Sequence, residues 1–364
     1  MLRIVRSSLK GALALLLTLG ATAALACTGI TIRPGDGSVI FARTMEFGMD
    51  LKSNVIIVPR GYEFQGTAPG GKPGMRWMTR YGIVGANALD EPFVADSLNE
   101  KGLHVGVFYF PGYAEYQQVK PEDAARTLAP WELSAYLLGT CGTVEEAVKA
   151  AQQVFVGEVV MEAMGFVPPL HWIATDASGA SVVFEHVGGE LIVHPNPLGV
   201  MTNSPQFDWH LTNLSNYVTM TARNSEGIDL AGKKITPLGQ GSGMLGLPGD
   251  FTPPSRFVRA VAYTQTALPV ETAKDGVLQA FHLLNQFDIP KGAAMSVEHG
   301  VAVADHTLWT SAADLKNLRY YFRTYENSQI RMVDLKQVDF DAKQIKTISM
   351  RGDEVIEDLT RTAR

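Results

Sequence analysis

Two groups of strand-like segments, with helix-like segments between them, predict an α+β fold in which helices cover the sheets. The N-terminal group opens with a hairpin pattern, in which strand-like residues at 28–33 and 38–43 flank the turn sequence Pro-Gly-Asp-Gly. The C-terminal group consists of strand-like segments between residues 307 and 334. No internal repeat or low-complexity linker interrupts the sequence, so we expect residues 27–364 to form one domain.

The strand predictions rest on short runs that are rich in Val, Ile, Phe and Thr. After the hairpin these runs fall at 54–59, 82–86, 103–110, 171–175, 181–184 and 191–194. The C-terminal strands are predicted at 307–311, 319–325 and 331–334.

Helices are predicted where apolar residues recur at the helical period. They fall at 131–138, after Thr143, at 255–267 and at 271–287. The second of these begins with Thr143-Val144-Glu145-Glu146, which has the pattern of a capping box. The Gly- and Pro-rich stretches at 66–74 and 239–254 are expected to be ordered loops near a site, and residues 62–75 are a candidate lid.

Residues 1–26 have the three parts of a secretory signal peptide. A basic N-terminal part precedes an apolar part at 12–19, and small residues at 24–26 form a cleavage site. Cleavage there would make Cys27 the first residue of the mature chain. The sequence therefore predicts an exported protein, located in the bacterial periplasm.

A cysteine at a cleavage site is also typical of bacterial lipoproteins. Their signal usually carries Leu three places before the cysteine, whereas this chain has Ala24 there. Lipidation would block the amine and attach the chain to a membrane, so it is the alternative to a free N-terminus.

An N-terminal Cys27 would hold a thiol and a free α-amino group side by side. The amine has an ordinary pKa of about 7.7–8.0, so near neutral pH a useful fraction can accept the thiol proton. A nucleophile with its own base is the arrangement used in covalent catalysis.

Composition excludes several other classes of protein. The chain has 31 Lys and Arg against 37 Asp and Glu, and this acidic balance argues against nucleic-acid binding. Cys141 ends an apolar helix and is expected to be a small buried residue rather than a disulfide partner. No apolar run of membrane-spanning length follows residue 26, and no metal-binding signature is present, so neither a membrane span nor a metal site is expected.

A Cys–His protease is a further enzymatic alternative, since the chain has eight histidines. None of them forms a local signature with Cys27. His186 and His194 are interpreted as strand-end residues.

With Cys27 at the N-terminus, the chain resembles the choloylglycine hydrolase and penicillin V acylase family of N-terminal nucleophile hydrolases. The resemblance extends from residue 27 to about residue 350, with its motifs in order and at compatible spacing. These motifs are Cys27-Thr28-Gly29, Ala42-Arg43-Thr44-Met45-Glu46, and residues 96–103, 201–209, 246–250, 255–257 and 320–328.

The resemblance implies a four-layer αββα fold that hydrolyses a linear amide without a cofactor. It implies that Cys27 is the nucleophile and, through its α-amino group, the base, and that Arg43 stabilises the thiolate and lowers its pKa. Glu46, where the family usually has Asp, would hold the amine. Asn203 would donate its side-chain amide to the oxyanion, and Arg256 would be the family's second arginine near the nucleophile.

Tyr109 is the position that separates the two activities of the family. Bile salt hydrolases usually carry Asn there and penicillin V acylases carry Tyr, which could stack on an aromatic acyl group. Met45, Phe47 and Phe108 are candidate walls of an apolar acyl pocket. The further candidate walls are Phe110, Met75, Trp77 and Trp131.

The expected substrate is thus a small N-acyl amide with an apolar acyl group. Phenoxyacetyl-type penicillin is expected first, long-chain N-acyl homoserine lactone second and conjugated bile salt third. The resemblance also implies a homotetramer, since relatives often assemble in this way. An exported ligand-binding protein with an inactive hydrolase fold is the non-enzymatic alternative, and the presence of Cys27, Arg43, Asn203 and Arg256 argues against it.

Overall fold

Residues 26–298 and 300–362 are described by the computed structural model. The predicted signal peptide lies outside the described residues except for Ala26. The described residues form two large antiparallel sheets, three small strand pairs and five α-helices.

The first sheet contains Cys27 and has the strand order β1-β2-β17-β18-β19, with β16 paired to the first residues of β17. Its strands are β1 (Cys27–Ile32), β2 (Ile40–Phe47), β16 (Ala294–Glu298), β17 (Val301–Asp314), β18 (Arg319–Thr324) and β19 (Arg331–Asp334). The predicted hairpin is present, and β17 is longer than the strand predicted at 307–311.

The second sheet has the strand order β13-β12-β11-β8-β7-β6-β3-β20. Its strands are β3 (Asn54–Val58), β6 (Ile83–Asn87), β7 (Val94–Asn99), β8 (His104–Tyr109), β11 (Leu170–Thr175), β12 (Ser181–Val187), β13 (Glu190–Pro195) and β20 (Lys346–Ser349). The small pairs are β4 (Glu63–Ala68) with β5 (Lys72–Met78), β9 (Thr127–Leu128) with β10 (Phe155–Val156), and β14 (Ile228–Leu230) with β15 (Lys233–Ile235).

The five α-helices differ in how they begin: two follow a capping threonine, one begins at a proline, and two have neither at their first residues. They are α1 (Leu133–Thr140), α2 (Val144–Ala151), α3 (Phe207–Asn213), α4 (Pro253–Thr266) and α5 (Ala273–Leu284). Thr143 caps α2 by accepting the Glu146 N–H at 3.2 Å, as its capping pattern predicts. The start predicted at residue 131 is a 3₁₀ turn, and α1 begins at Leu133.

Four layers result from the alternation of side chains along the strands of the second sheet. On β3, Val55 and Ile57 face a core shared with the first sheet and helices α4 and α5, whereas Ile56 and Val58 face a second core under α1 and α2. The α+β prediction is therefore confirmed, with the layers in the order α, β, β, α.

The prediction for residues 66–74 is wrong, because this stretch belongs to the β4–β5 hairpin rather than to a loop. Strand β7 was also missed, although it lies inside the second sheet. Its polar Asp96 is fully buried, and it bonds His104 Nε2 at 2.9 Å and the hydroxyl groups of Ser311 and Tyr320 at 2.7 and 3.0 Å. A polar residue that is satisfied by partners from distant strands breaks the apolar pattern on which strand prediction depends.

One irregularity interrupts the pairing of β2 with β17. Thr307 lies opposite Glu46 and Trp309 lies opposite Met45, so Leu308 is an extra residue that forms a β-bulge. The bulge places Thr307 beside the residues described next.

Candidate active site

Cys27 is the first residue of β1, and its side chain is buried where this strand pairs with β2. It lies opposite Met45, and the two sulfur atoms are 3.9 Å apart. The backbone N–H of Glu46 donates to the carbonyl oxygen of Ala26 at 3.1 Å, which continues the strand pairing one residue before Cys27. The hairpin therefore positions Cys27, Met45 and Glu46 by local sequence alone.

Asn203 lies in the loop between β13 and α3 and contacts the main chain of Cys27. Its side-chain oxygen accepts the Cys27 N–H at 2.7 Å and the Arg256 Nη2–H at 2.7 Å. Its Nδ2 donates to the carbonyl oxygen of Tyr109 at 2.8 Å. Because two donors face the side-chain oxygen, the orientation of the amide is fixed by the network.

Arg256 extends from α4 to the same place, and its guanidinium is completely buried. Its Nη1 donates to the Cys27 carbonyl oxygen at 2.5 Å and to the Thr28 hydroxyl at 2.9 Å, and its Nε donates to the Phe251 carbonyl oxygen at 2.8 Å. Burial lowers the pKa of Arg256 to about 10, so the group remains a cation at neutral pH. A rigid, planar donor set of this kind fixes the strand that carries Cys27 relative to Asn203.

Arg43 is the second buried cation of the site and lies on β2. Its Nη1 donates to the Val107 carbonyl oxygen at 2.5 Å, and its guanidinium lies 4.1 Å from the ring centroid of Phe108. Its Nη2 is 3.7 Å from Met45 Sδ, the same sulfur that Cys27 contacts. Arg43 therefore links the thiol region to β8 of the second sheet.

Glu46 is buried and its Oε1 accepts the Thr307 hydroxyl at 2.9 Å. Burial raises its pKa from an ordinary value of 4.5 to about 7, and the nearby Arg256 opposes this rise. In the described chain Ala26 precedes Cys27, so the Cys27 nitrogen is an amide with one hydrogen, and it donates that hydrogen to Asn203. The contact expected between Glu46 and a free Cys27 amine therefore stays a prediction.

The thiol of Cys27 is less acidic than an ordinary one. Burial raises its pKa, while Arg43 and Arg256 lower it and Glu46 raises it. Arg43 acts in the predicted direction, but desolvation outweighs both cations. A base close to the sulfur would assist deprotonation of such a thiol.

An apolar pocket opens beside Cys27 and Glu46. It is lined by four of the predicted residues, Met45, Phe47, Phe108 and Tyr109. The rings of Phe47 and Tyr109 pack edge to face, with their centroids 6.4 Å apart. Sequence reasoning missed the remaining large wall residues, because nothing in an apolar residue distinguishes a pocket wall from the core. They are Leu51, Leu89, Phe93, Met161, Met164 and Leu170.

The other predicted wall residues lie elsewhere. The ring of Phe110 stacks on the ring of His171, with the two centroids 4.3 Å apart. Met75 packs on the core under α1. Trp77 and Trp131 line an adjoining cavity of about 620 Å³. This cavity and the Cys27 pocket are separate but share walls, which are formed by Ala88, Leu89, Phe93 and Met161.

The remaining expectations from composition concern cysteine, metal and membrane. Cys141 is buried in the core under α1, and neither it nor Cys27 forms a disulfide. Within residues 26–298 and 300–362, no three His, Cys, Asp or Glu side chains form a group that could hold a metal ion. In the same part of the chain, every helix is too short or too polar to cross a membrane.

Comparison with known proteins identifies the family. The family of linear amide C–N hydrolases called choloylglycine hydrolases matches residues 27–348. The chain belongs to the choloylglycine hydrolase family. It is 34% identical to a bile salt hydrolase/transferase of Clostridium perfringens, over 88% of this chain and 96% of the relative. It is 30% identical to a penicillin V acylase of Pectobacterium atrosepticum, over 89% of this chain and 85% of the relative.

Solved structures give the same result. A variant of the conjugated bile acid hydrolase from Clostridium perfringens superposes with a TM-score of 0.81 and 30% identity, covering 92% of this chain and all of that one. Penicillin V acylase from Agrobacterium tumefaciens superposes with a TM-score of 0.71 and 25% identity, covering 88% and 90%. The resemblance inferred from the motifs is confirmed, and membership in the family supports a hydrolase that cleaves the C–N bond of linear amides.

Proposed function

We propose that the mature chain begins at Cys27 and hydrolyses N-acyl amides that carry an apolar acyl group. The observation that carries the proposal is the convergence of Arg43, Glu46, Asn203 and Arg256 on Cys27 beside a pocket with apolar walls. Export through the signal peptide to the periplasm would generate this N-terminus.

The reaction follows from the groups present. The free α-amine of Cys27 accepts the thiol proton, and the sulfur attacks the substrate carbonyl carbon. The ammonium returns a proton to the leaving amine, and water, deprotonated by the same amine, then hydrolyses the thioester. The reaction uses a thiol and an amine alone, so the proposal includes no metal or organic cofactor.

Asn203 and Glu46 have separate roles in this scheme. The Asn203 Nδ2 group has two hydrogens, and only one is needed for the Tyr109 carbonyl, so the second can donate to the oxyanion. The buried Glu46 carboxylate is the counter-charge for the ammonium formed at Cys27, and this charge pair would lower its pKa again.

Phenoxyacetyl-type penicillin is the first substrate we propose. Tyr109 lines the pocket and packs edge to face on Phe47, so the two rings offer an aromatic acyl group a surface to stack on. Conjugated bile salts are the third candidate. Bile salt hydrolases and a penicillin V acylase both match the chain, and Tyr109 favours the acylase activity.

N-acyl homoserine lactones are the second candidate, and a separate observation favours them. The cavity that adjoins the pocket is lined by Glu91, Glu132, Glu158 and Glu162, and no Lys or Arg lines it among the described residues. Such a lining repels an anionic group. The amine part of a penicillin or of a conjugated bile salt carries an acid group that is ionised at neutral pH, whereas that of an N-acyl homoserine lactone carries none.

The test combines intact mass with turnover. The exported protein is treated with a thiol alkylator, its mass is measured, and the hydrolysis of penicillin V, acyl homoserine lactones and conjugated bile salts is followed. We expect a chain that begins at Cys27 and loses activity with one label, a Cys27→Ser variant that folds without turnover, and a Cys141→Ser control that retains turnover. A lipidated chain, or full activity in Cys27→Ser, would refute the mechanism.

A further inference from the structure

A buried carboxylate and two imidazoles lie behind the loop that carries Asn203, and none of them lines the Cys27 pocket. Glu185 on β12 is completely buried, with His171 Nδ1 at 3.2 Å from its Oε1 and His194 Nε2 at 3.2 Å from its Oε2. Glu185, His171 and His194 are called the Glu185 cluster below. His194 is a strand-end residue, as the sequence predicts, since it is the last residue but one of β13, and it closes this cluster on the side nearer solvent.

The Glu185 cluster holds the chain on both sides of Asn203. Glu185 Oε1 accepts the Phe207 N–H at 3.0 Å, at the start of α3. His171 Nε2 lies 3.2 Å from the carbonyl oxygen of Thr202, the residue before Asn203. One carboxylate and its imidazole partner therefore fix the main chain before and after the side chain that contacts Cys27.

The charges of the cluster support this arrangement. Burial raises the pKa of Glu185, but the two imidazoles outweigh burial and hold the pKa at about 2. The group is therefore an ion at neutral pH, and an ionised acceptor makes a stronger hydrogen bond to the Phe207 N–H than a neutral one. His171 also stacks on Phe110. The residue before Phe110 is Tyr109, whose carbonyl oxygen accepts the hydrogen bond from Asn203 Nδ2. The cluster therefore contacts the surroundings of the Asn203 amide on a second side.

We propose that Glu185 and His171 are positioning residues that hold Asn203 against Cys27 and thereby set the turnover rate. The proposal rests on the amidase function proposed above. A misplacement of about 1 Å at a catalytic group can lower a rate about 100-fold, so loss of either side chain is expected to lower kcat about 10- to 100-fold. Because neither residue lines the pocket, KM is expected to change less than about twofold.

The chain offers a matched control for a merely structural effect. His186 follows Glu185 on β12 and is also buried, but its ring packs on the opposite face, 5.7 Å from the rings of Trp172 and Tyr116. Replacing His186 disturbs the same strand without touching residues 202–207. His186→Gln is therefore expected to lower stability as much as His171→Gln while leaving kcat near its original value.

The experiment compares the mature wild-type protein with Glu185→Gln, His171→Ala, His171→Gln and His186→Gln. Penicillin V hydrolysis gives kcat and KM, and hydrogen exchange with mass spectrometry follows the peptide that contains residues 202–207. We expect faster exchange of that peptide in the Glu185 and His171 variants but not in the control. His171→Gln should recover part of the kcat lost in His171→Ala, because its amide can donate to the Thr202 carbonyl.

Two results would overturn the inference. One is unchanged exchange at 202–207 in both His171→Ala and Glu185→Gln, and the other is an equal loss of kcat in the His186→Gln control. Exchange needs no substrate, so it separates this inference from the proposed function. If the wild-type protein hydrolyses none of the substrates, the proposed function fails and the exchange result alone decides whether the cluster positions Asn203.

Discussion

Arg256 connects three parts of the chain through hydrogen bonds from one buried cation. Its guanidinium donates to the Cys27 carbonyl, the Thr28 hydroxyl, the Asn203 side-chain oxygen and the Phe251 carbonyl, at distances between 2.5 and 2.9 Å. An Arg256→Lys substitution keeps the charge but replaces the planar fork with a single nitrogen, which cannot reach all four acceptors. The substitution therefore isolates the geometry of the hydrogen bonds from the charge.

The expected loss of stability follows from the bonds that lysine gives up. Each hydrogen bond from a charged group contributes about 1.5–3 kcal/mol, and at least two are lost, so the free energy of unfolding should fall by about 3–6 kcal/mol. Urea denaturation at neutral pH measures this change. The control is Arg351→Lys, since Arg351 is largely exposed and pairs with Asp50 at 2.7 Å, and this substitution should lower the free energy of unfolding by less than about 1 kcal/mol.

A small effect would refute this reasoning. If Arg256→Lys lowered the free energy of unfolding by less than about 1 kcal/mol, the guanidinium geometry would contribute little to holding Cys27 and Asn203 together. A loss of turnover that accompanied such an unchanged stability would then have to come from the altered shape of the site rather than from its rigidity.

Three further predictions concern other groups. In a chain that keeps Ala26, the pKa of Glu46 is raised to about 7, so the stability that Glu46 contributes is complete below pH 4.5 and is lost as the pH rises through 7. Between pH 5 and 8 the free energy of unfolding of the wild-type protein should therefore fall by about 2–3 kcal/mol more than that of Glu46→Gln. Equal urea profiles of the two proteins would contradict this. Tyr109→Asn should lower penicillin V turnover relative to bile salts, and an unchanged ratio would show that Tyr109 does not set the preference. Burial raises the pKa of Asp96, but His104 and other partners outweigh burial and leave the pKa below its ordinary value. Asp96→Asn should therefore lower the free energy of unfolding by about 2–4 kcal/mol at pH 7 and by less as the pH falls. A thermal melt that matches the wild type would contradict this.

Sequence reasoning succeeded where the relevant contacts are local. The hairpin that places Met45 and Glu46 beside Cys27 is encoded by its turn and by the two adjacent strands. Asn203 and Arg256 approach Cys27 from far along the chain, and only the family motifs pointed to them. Their spacing alone contains no information about this contact.

Other features depend on burial, which residue type does not determine. Trp77 and Met161 are equally apolar, yet Trp77 lies outside the Cys27 pocket and Met161 forms part of its wall. Glu185 and Asp96 are acidic, and acidic residues are usually found at the surface, but both are buried with partners from other strands. Such residues are recognised only when the partners that satisfy them are known.

The bulge in β17 makes the site depend on the pairing register of a distant strand. Leu308 is the inserted residue, and if β17 paired regularly with β2 from Trp309 back toward its start with every residue kept, Leu308, which has no hydroxyl group, would lie opposite Glu46 in place of Thr307. Deletions and insertions in the hairpin before the bulge, where β16 pairs with β17, leave this register intact. Deletion of Leu308 would leave Thr307 opposite Glu46 in a regular ladder, whereas closing the bulge with every residue kept would leave the carboxylate beside Cys27 without its donor, although no residue of the site had been changed. The position of one extra residue in β17 therefore decides whether a hydroxyl group or an alkyl side chain faces Glu46.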